Sequence, residues 1–133
     1  MHVRFNDCDG MRHVNNAVYL TYVEDARIAF FQALNTGDGK GFFGRGIIVA
    51  RTEVDYVKPA LFGHGLVNVT VEVLDIGRRS WRMGYEMRQA GEVVARAVTV
   101  MVAYEYQQQV SRPLEDVERT ALEEHLASAS RKG

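Results

Sequence analysis

The chain has 133 residues, 47% hydrophobic and 25% charged, with a formal net charge of -1. That balance is typical of one globular domain, and it excludes a global positive field of the kind that holds nucleic acid or an anionic membrane surface. Cys8 is the single cysteine and no apolar run is long enough to span a bilayer, so the expectation is one domain over residues 1–133, cytoplasmic and without disulfides, with residues 127–133 as a disordered tail.

His2 to Asn6 reads as a short opening strand. From Tyr19, the apolar residues Tyr19, Tyr22, Val23, Ala26, Phe30, Ala33 and Leu34 recur at three- and four-residue spacing, which places them on one helical face. Asn15 or Asn16 can cap this helix, and Glu24 with Arg27 can pair across one turn. A glycine-rich loop, Asn35 to Gly46, ends it. The period then changes to two, with Val67, Val69, Val71 and Val73 alternating against Asn68, Thr70 and Glu72. Four long strands are expected at about Ile47 to Lys58, Gly65 to Asp75, Arg79 to Gln89 and Glu92 to Tyr106. The last two connections, Ile76 to Arg78 and Ala90 to Gly91, are short enough to force antiparallel hairpins. Pro113 to Leu126 reads as a terminal helix, with Ser111 as N-cap and Pro113 in its first turn. The plan is α+β: one long central helix against a curved antiparallel sheet of about five strands, plus a C-terminal helix. A sheet covered on one face leaves an edge and a second surface, so a homodimer or homotetramer is expected.

The densest group of ionisable and amide side chains is Asp7-Cys8-Asp9-Gly10-Met11-Arg12-His13-Val14-Asn15-Asn16, between the opening strand and the helix start. A helix N-terminus offers unpaired N–H groups and a partial positive charge, which suit a carbonyl oxygen gaining negative charge during acyl transfer. A carboxylate in the same loop can attack or activate water. Local chemistry by itself favours a capped loop whose Asp and Asn side chains bond to backbone. Asp7 and Asp9 beside Cys8 raise its thiol pKa, which argues against a thiolate nucleophile. Asp7, Asp9 and His13 match no tight metal-ligand spacing, and neither His64 nor His125 completes a set, so no metal is expected. Gly39 to Gly44 spells GxGxxG, but it follows a helix and precedes a strand, the reverse of a dinucleotide site. Phe42 and Phe43 in that loop either border a pocket or pack at the surface.

Over these same residues the sequence resembles the hotdog-fold acyl-CoA thioesterases of the 4-hydroxybenzoyl-CoA thioesterase type. Arg4-Phe5-Asn6-Asp7-Cys8-Asp9 looks like that family's opening strand and acidic loop. His13-Val14-Asn15-Asn16, then Tyr19, then Tyr22 to Arg27 looks like its HVNN segment and helix. Val54-Asp55-Tyr56, Pro59-Ala60, Gly63 and Ile76-Gly77 to Ser80 resemble its next strand and hairpin, so the likeness runs to about Glu105. It implies a hotdog fold and an acyl-CoA or acyl-carrier-protein thioester as substrate, hydrolysed without a cofactor beyond the coenzyme A of the substrate itself. It places the catalytic carboxylate on Asp9 and the carbonyl-polarising backbone N–H at Asn16. The related plant enzymes use Asp, Asn and His within DxNxHVNN; here Asp9 and His13 match, and Met11 stands where those enzymes have Asn.

Coenzyme A carries phosphates, which suit arginine forks. Arg78 and Arg79, with Arg82 and with Lys58 as a neighbour across the sheet, are the candidate contacts for its nucleotide end, and Tyr19, Tyr22, Val23, Val49 and Val54 are candidates for the acyl pocket or for plain core. Two other readings of the same fold are an acyl-thioester dehydratase and a non-catalytic acyl-CoA-binding module.

Overall fold

The apolar spacing that begins at Tyr19 produces the central element of the molecule, the 18-residue helix α1 (Asn16–Ala33). Tyr19, Tyr22, Val23 and Phe31 are buried, while Leu20, Glu24 and Ile28, at four-residue intervals, form an exposed face. The computed structural model describes residues 16–34, 37, 40–61 and 63–127; the expected strand at His2–Asn6, the loop residues Asp9 and His13, and the tail beyond Ala127 lie outside them. Asn16 is itself helical and is therefore not the cap. The anticipated Glu24–Arg27 pair does not form: Glu24 is on the exposed face, whereas the Arg27 guanidinium lies beside the buried Tyr85 hydroxyl.

The strands are β1 (Ile47–Tyr56), β2 (Val67–Ile76), β3 (Ser80–Gln89), β4 (Glu92–Glu105) and β5 (Val110–Ser111), within a few residues of the expected spans for the first four. Their order is β1-β4-β3-β2, antiparallel throughout, with the short β5 pairing to the end of β4. β1 and β2, consecutive in sequence, therefore lie on opposite sides of the β4–β3 pair, and the chain from 57 to 66 crosses from one to the other. Both tight connections are hairpins. Ala90 and Gly91 carry φ of 53° and 78°, the left-handed pair of a type I′ turn.

Register shifts bend the sheet around α1: one between Val49 and Arg51, one between Val73 and Asp75, and one between Met87 and Arg88. The second leaves Leu74 lying over Gly84, where a Cβ would stand 3.1 Å from the Leu74 side chain. On the helix side, β3 buries Trp81, Met83, Tyr85 and Met87, and β4 buries Ala95, Ala97, Thr99, Met101 and Ala103.

The glycine-rich loop contains a one-turn helix, α2 (Gly41–Arg45). Phe42 is core, with ring centroids 5.0 Å from Phe31 and 5.9 Å from Trp81, while Phe43 is exposed. Gly46, with φ 104°, ends α2 so close to β4 that a Cβ would sit 2.3 Å from the Tyr104 carbonyl oxygen.

The terminal helix α3 (Asp116–Glu123) starts later than expected, and Ser111 is not its cap but part of β5. The buried Glu118 carboxylate sets the start. It accepts a hydrogen bond from the Glu115 N–H at 2.9 Å and takes a two-pronged ion pair from Arg112, so Pro113 stays outside the helix. No helix among the described residues is long and apolar enough to cross a membrane.

Candidate active site at the start of the central helix

Eighteen residues of α-helix run about 27 Å, and α1 aims its N-terminus at one end of the sheet. The N–H groups of its first turn have no intrahelical acceptors, and their dipoles sum to a partial positive charge there. α1 carries no acidic residue in its first turn, unlike α3, where Asp116 and Glu118 occupy it. No acidic side chain within that turn quenches the positive end, a property that suits a helix start to an anionic or polarised oxygen.

The surroundings of this end are built by the loop from Val57 to Leu66. The Tyr19 hydroxyl, one turn into α1, accepts a buried hydrogen bond from the Ala60 N–H at 2.9 Å. The Tyr19 ring meets Tyr56 edge-on, with centroids 5.3 Å apart, and Tyr22 at 6.2 Å. Val57 and Lys58 both donate backbone hydrogen bonds to the Val94 carbonyl. The Gln89 side chain, at the end of β3, accepts from the Leu61 N–H at 2.8 Å and donates to the carbonyls of Leu61 at 2.8 Å and Gly65 at 3.0 Å.

Of the residues singled out in the sequence, Asp9 and His13 lie outside the described residues. Asn16 opens α1, and Tyr19 stands beside it with its ring buried and its hydroxyl on the loop. Tyr22 and Val23 are core, Val54 is half-buried and Val49 is exposed. Lys58 lies at this end of the sheet, ion-paired at the surface with Glu92.

The basic cluster expected from Lys58, Arg78, Arg79 and Arg82 does not assemble. Lys58 bonds at Val94, whereas Ser80, next to Arg79, is level with Val102; from Val94 to Val102 along β4 is roughly 26 Å. The hairpin bearing Arg78 and Arg79 is at the opposite end because β1 is antiparallel to β4 and β4 to β3. There Arg79 donates to the Ser111 carbonyl at 2.9 Å, and Arg82 pairs with Asp75. Gln89 was not anticipated as a site residue, since a glutamine ending a strand carries no local signal of a partner 28 positions away. Among the described residues no group of three or more His, Cys, Asp or Glu converges as a metal site.

Comparison with known proteins gives this geometry a lineage. The family model described as the Thioesterase-like superfamily matches residues 3–129. Among solved structures, a thioesterase from Thermus thermophilus, complexed with coenzyme A and Zn, is 38% identical. The alignment covers 93% of this chain and 89% of that one, with a TM-score of 0.80. A predicted thioesterase from Bacillus stearothermophilus is 28% identical over 96% of this chain and 93% of its own, also at 0.80. The probable thioesterase YbaW of Escherichia coli, 24% identical over 96% of each chain, shares the fold at 0.81. No curated protein matches. The architecture is the expected hotdog fold, a long helix held in a curved antiparallel sheet. With its family model matched over nearly its whole length and a 38% identical thioesterase superposing on it, the chain belongs to the Thioesterase-like superfamily.

Proposed function

We propose that this protein hydrolyses acyl-CoA thioesters to carboxylic acid and free coenzyme A, in the manner of the 4-hydroxybenzoyl-CoA thioesterase type, with Asp9 as the catalytic carboxylate. The observation that carries this reading is the N-terminal end of α1, without acidic residues in its first turn and walled by the loop that Tyr19 and Gln89 hold. The Asn16 N–H polarises the thioester carbonyl there. Asp9 takes a proton from water, whose oxygen attacks the carbonyl carbon; negative charge gathers on the carbonyl oxygen, the C–S bond breaks, and the departing sulfur takes up a proton. In the alternative order Asp9 itself attacks, releasing thiol and leaving a mixed anhydride that water opens. His13 acts with Asp9 in this scheme. The coenzyme A bound by the Thermus thermophilus relative supports this carrier over an acyl-carrier-protein.

Assembly completes the proposal. β1 pairs only with β4 among the described strands, and Leu20 and Ile28 on α1 and Val49, Tyr56 and Val57 on or beside β1 are exposed apolar residues. A second copy paired antiparallel along β1 turns its opposite sheet end, with the arginine hairpin, toward this chain's Asn16 end. Lys58 from the same chain and that hairpin from its partner then serve the phosphates of coenzyme A.

The deciding experiment is Asp9→Asn assayed for thiol release from a panel of acyl-CoAs. A folded variant that loses about 10²-fold or more in kcat supports the assignment; near wild-type hydrolysis removes Asp9 from the chemistry. Tight acyl-CoA binding by the wild type with no thiol release would instead identify a binding module.

A further inference from the structure

We infer that Gln89 is a positioning residue that sets where the acyl thioester lies, by fixing the loop from Val57 to Leu66 as one wall of the substrate site; the inference rests on the thioesterase reading above. Gln89 is 5% exposed, and both N–H donors and the carbonyl oxygen of its amide are used on this loop. Burying a primary amide is unfavourable unless its groups are matched, and of its two cross-strand neighbours Val67 is fully buried while Glu92 is exposed. An aliphatic side chain meets the packing need of such a place. The amide is explained by what it holds.

The described part of what it holds has little packing to fix it, and its other backbone ties run from Val57 and Lys58 to the Val94 carbonyl and from His64 to the Leu61 carbonyl. Val57, Lys58, Pro59, Gly63, His64, Gly65 and Leu66 are exposed, and Gly63 and Gly65 adopt left-handed φ of 84° and 102°. Of the described loop residues only Ala60 is buried. Polar ties therefore replace packing: Gln89 binds both backbone groups of Leu61 from the sheet, and Tyr19 binds the Ala60 N–H from α1. The two ties act on adjacent residues, one from α1 and one from β3. Together they set the gap between this loop and the helix start, where the thioester carbonyl must sit within hydrogen-bond reach of the Asn16 N–H. Displacement of a reacting group by about 1 Å is enough to cost up to about 10²-fold in rate, so loop placement matters without any contact between Gln89 and substrate.

The test compares wild type with Gln89→Met, which keeps length and packing but removes all three hydrogen bonds, using steady-state kinetics on acetyl-, hexanoyl-, dodecanoyl- and benzoyl-CoA. Hydrogen exchange across residues 57–66 and thermal melting are measured alongside. The expected result is a folded protein with faster exchange in the loop and kcat/KM lowered about tenfold or more, with kcat falling as well as KM rising, and altered preference among the four acyl groups. A purely structural role predicts lower melting temperature with unchanged KM and unchanged preference in the folded protein, and that result overturns the inference. If Gln89→Met is recovered unfolded, Gln89→Asn, which keeps the amide one methylene short of the loop, decides by the same measurements. Absence of turnover by wild type on all four substrates overturns the thioesterase reading and this inference with it, an outcome distinct from an active wild type that Gln89→Met merely copies.

Discussion

The hydroxyl of Tyr19 accepts the Ala60 backbone N–H at 2.9 Å across 41 residues of sequence, in a buried contact that ties the first turn of α1 to the loop between the edge strands. Tyr19→Phe keeps the ring against Tyr56 and leaves that N–H without its acceptor. The expected cost is about 1–3 kcal/mol of stability, with a several-fold rise in KM for acyl-CoA. Urea unfolding and steady-state kinetics check both; a variant unchanged in stability shows that this bond does not hold the loop.

Arg112 and Glu118 form the most buried ion pair among the described residues, with contacts of 2.7 and 3.0 Å and side chains 16% and 0% exposed. Arg112 also donates to the Gly46 and Tyr104 carbonyls, so one guanidinium gathers α3, the end of α2 and the end of β4. Arg112→Met strands a buried carboxylate and is expected to cost about 3–5 kcal/mol, whereas Arg112→Met combined with Glu118→Leu recovers much of that loss. Arg112→Lys recovers little, because an ammonium lacks the planar fork. Equilibrium unfolding of the three variants measures the coupling. A double variant no better than Arg112→Met contradicts it.

Ala90 holds φ of 53° at the first central position of the β3–β4 turn, a conformation that its Cβ disfavours. Ala90→Asn supplies the residue preferred before glycine in a type I′ turn. A gain of about 0.5–1 kcal/mol is expected, visible as a rise of roughly 2–5 °C in Tm. A fall in Tm would show that the turn geometry is other than described.

Burial raises the pKa of the Tyr85 phenol above its ordinary value of 10.0, an effect eased but not cancelled by the hydrogen bond to Thr99 and by Arg27. The folded protein thus keeps this proton at pH values where the unfolded chain has lost it. Its contribution to stability is complete below the ordinary tyrosine pKa and declines as pH rises through the folded value. Tyr85→Phe, which also gives up the 2.8 Å bond to Thr99, is expected to lose about 1 kcal/mol at pH 7 and to flatten the alkaline decline. Urea midpoints from pH 8 to 11 read both effects, and parallel curves for the two proteins refute the assignment.

Features set by neighbours along the chain were legible in the sequence. The three-and-four spacing from Tyr19 to Leu34 marked α1, the alternating valines from Val67 to Val73 marked β2, and two short connections marked hairpins, because helix period, strand period and turn closure are local properties. The motif residues leading into α1 likewise pointed to the superfamily that the comparisons show. What depended on contacts between distant segments was decided only in three dimensions. Pairing of β1 with β4 sent Lys58 and the Arg78–Arg79 hairpin to opposite ends of the sheet. The start of α3 lies past Pro113 because the Glu118 carboxylate, held by Arg112, accepts the Glu115 N–H from the capping-box position, while Ser111 is taken up in β5. The role of Gln89 exists only once β3 and the loop are folded against each other, for an amide acquires partners from register and proximity, neither of which leaves a mark in the sequence around it.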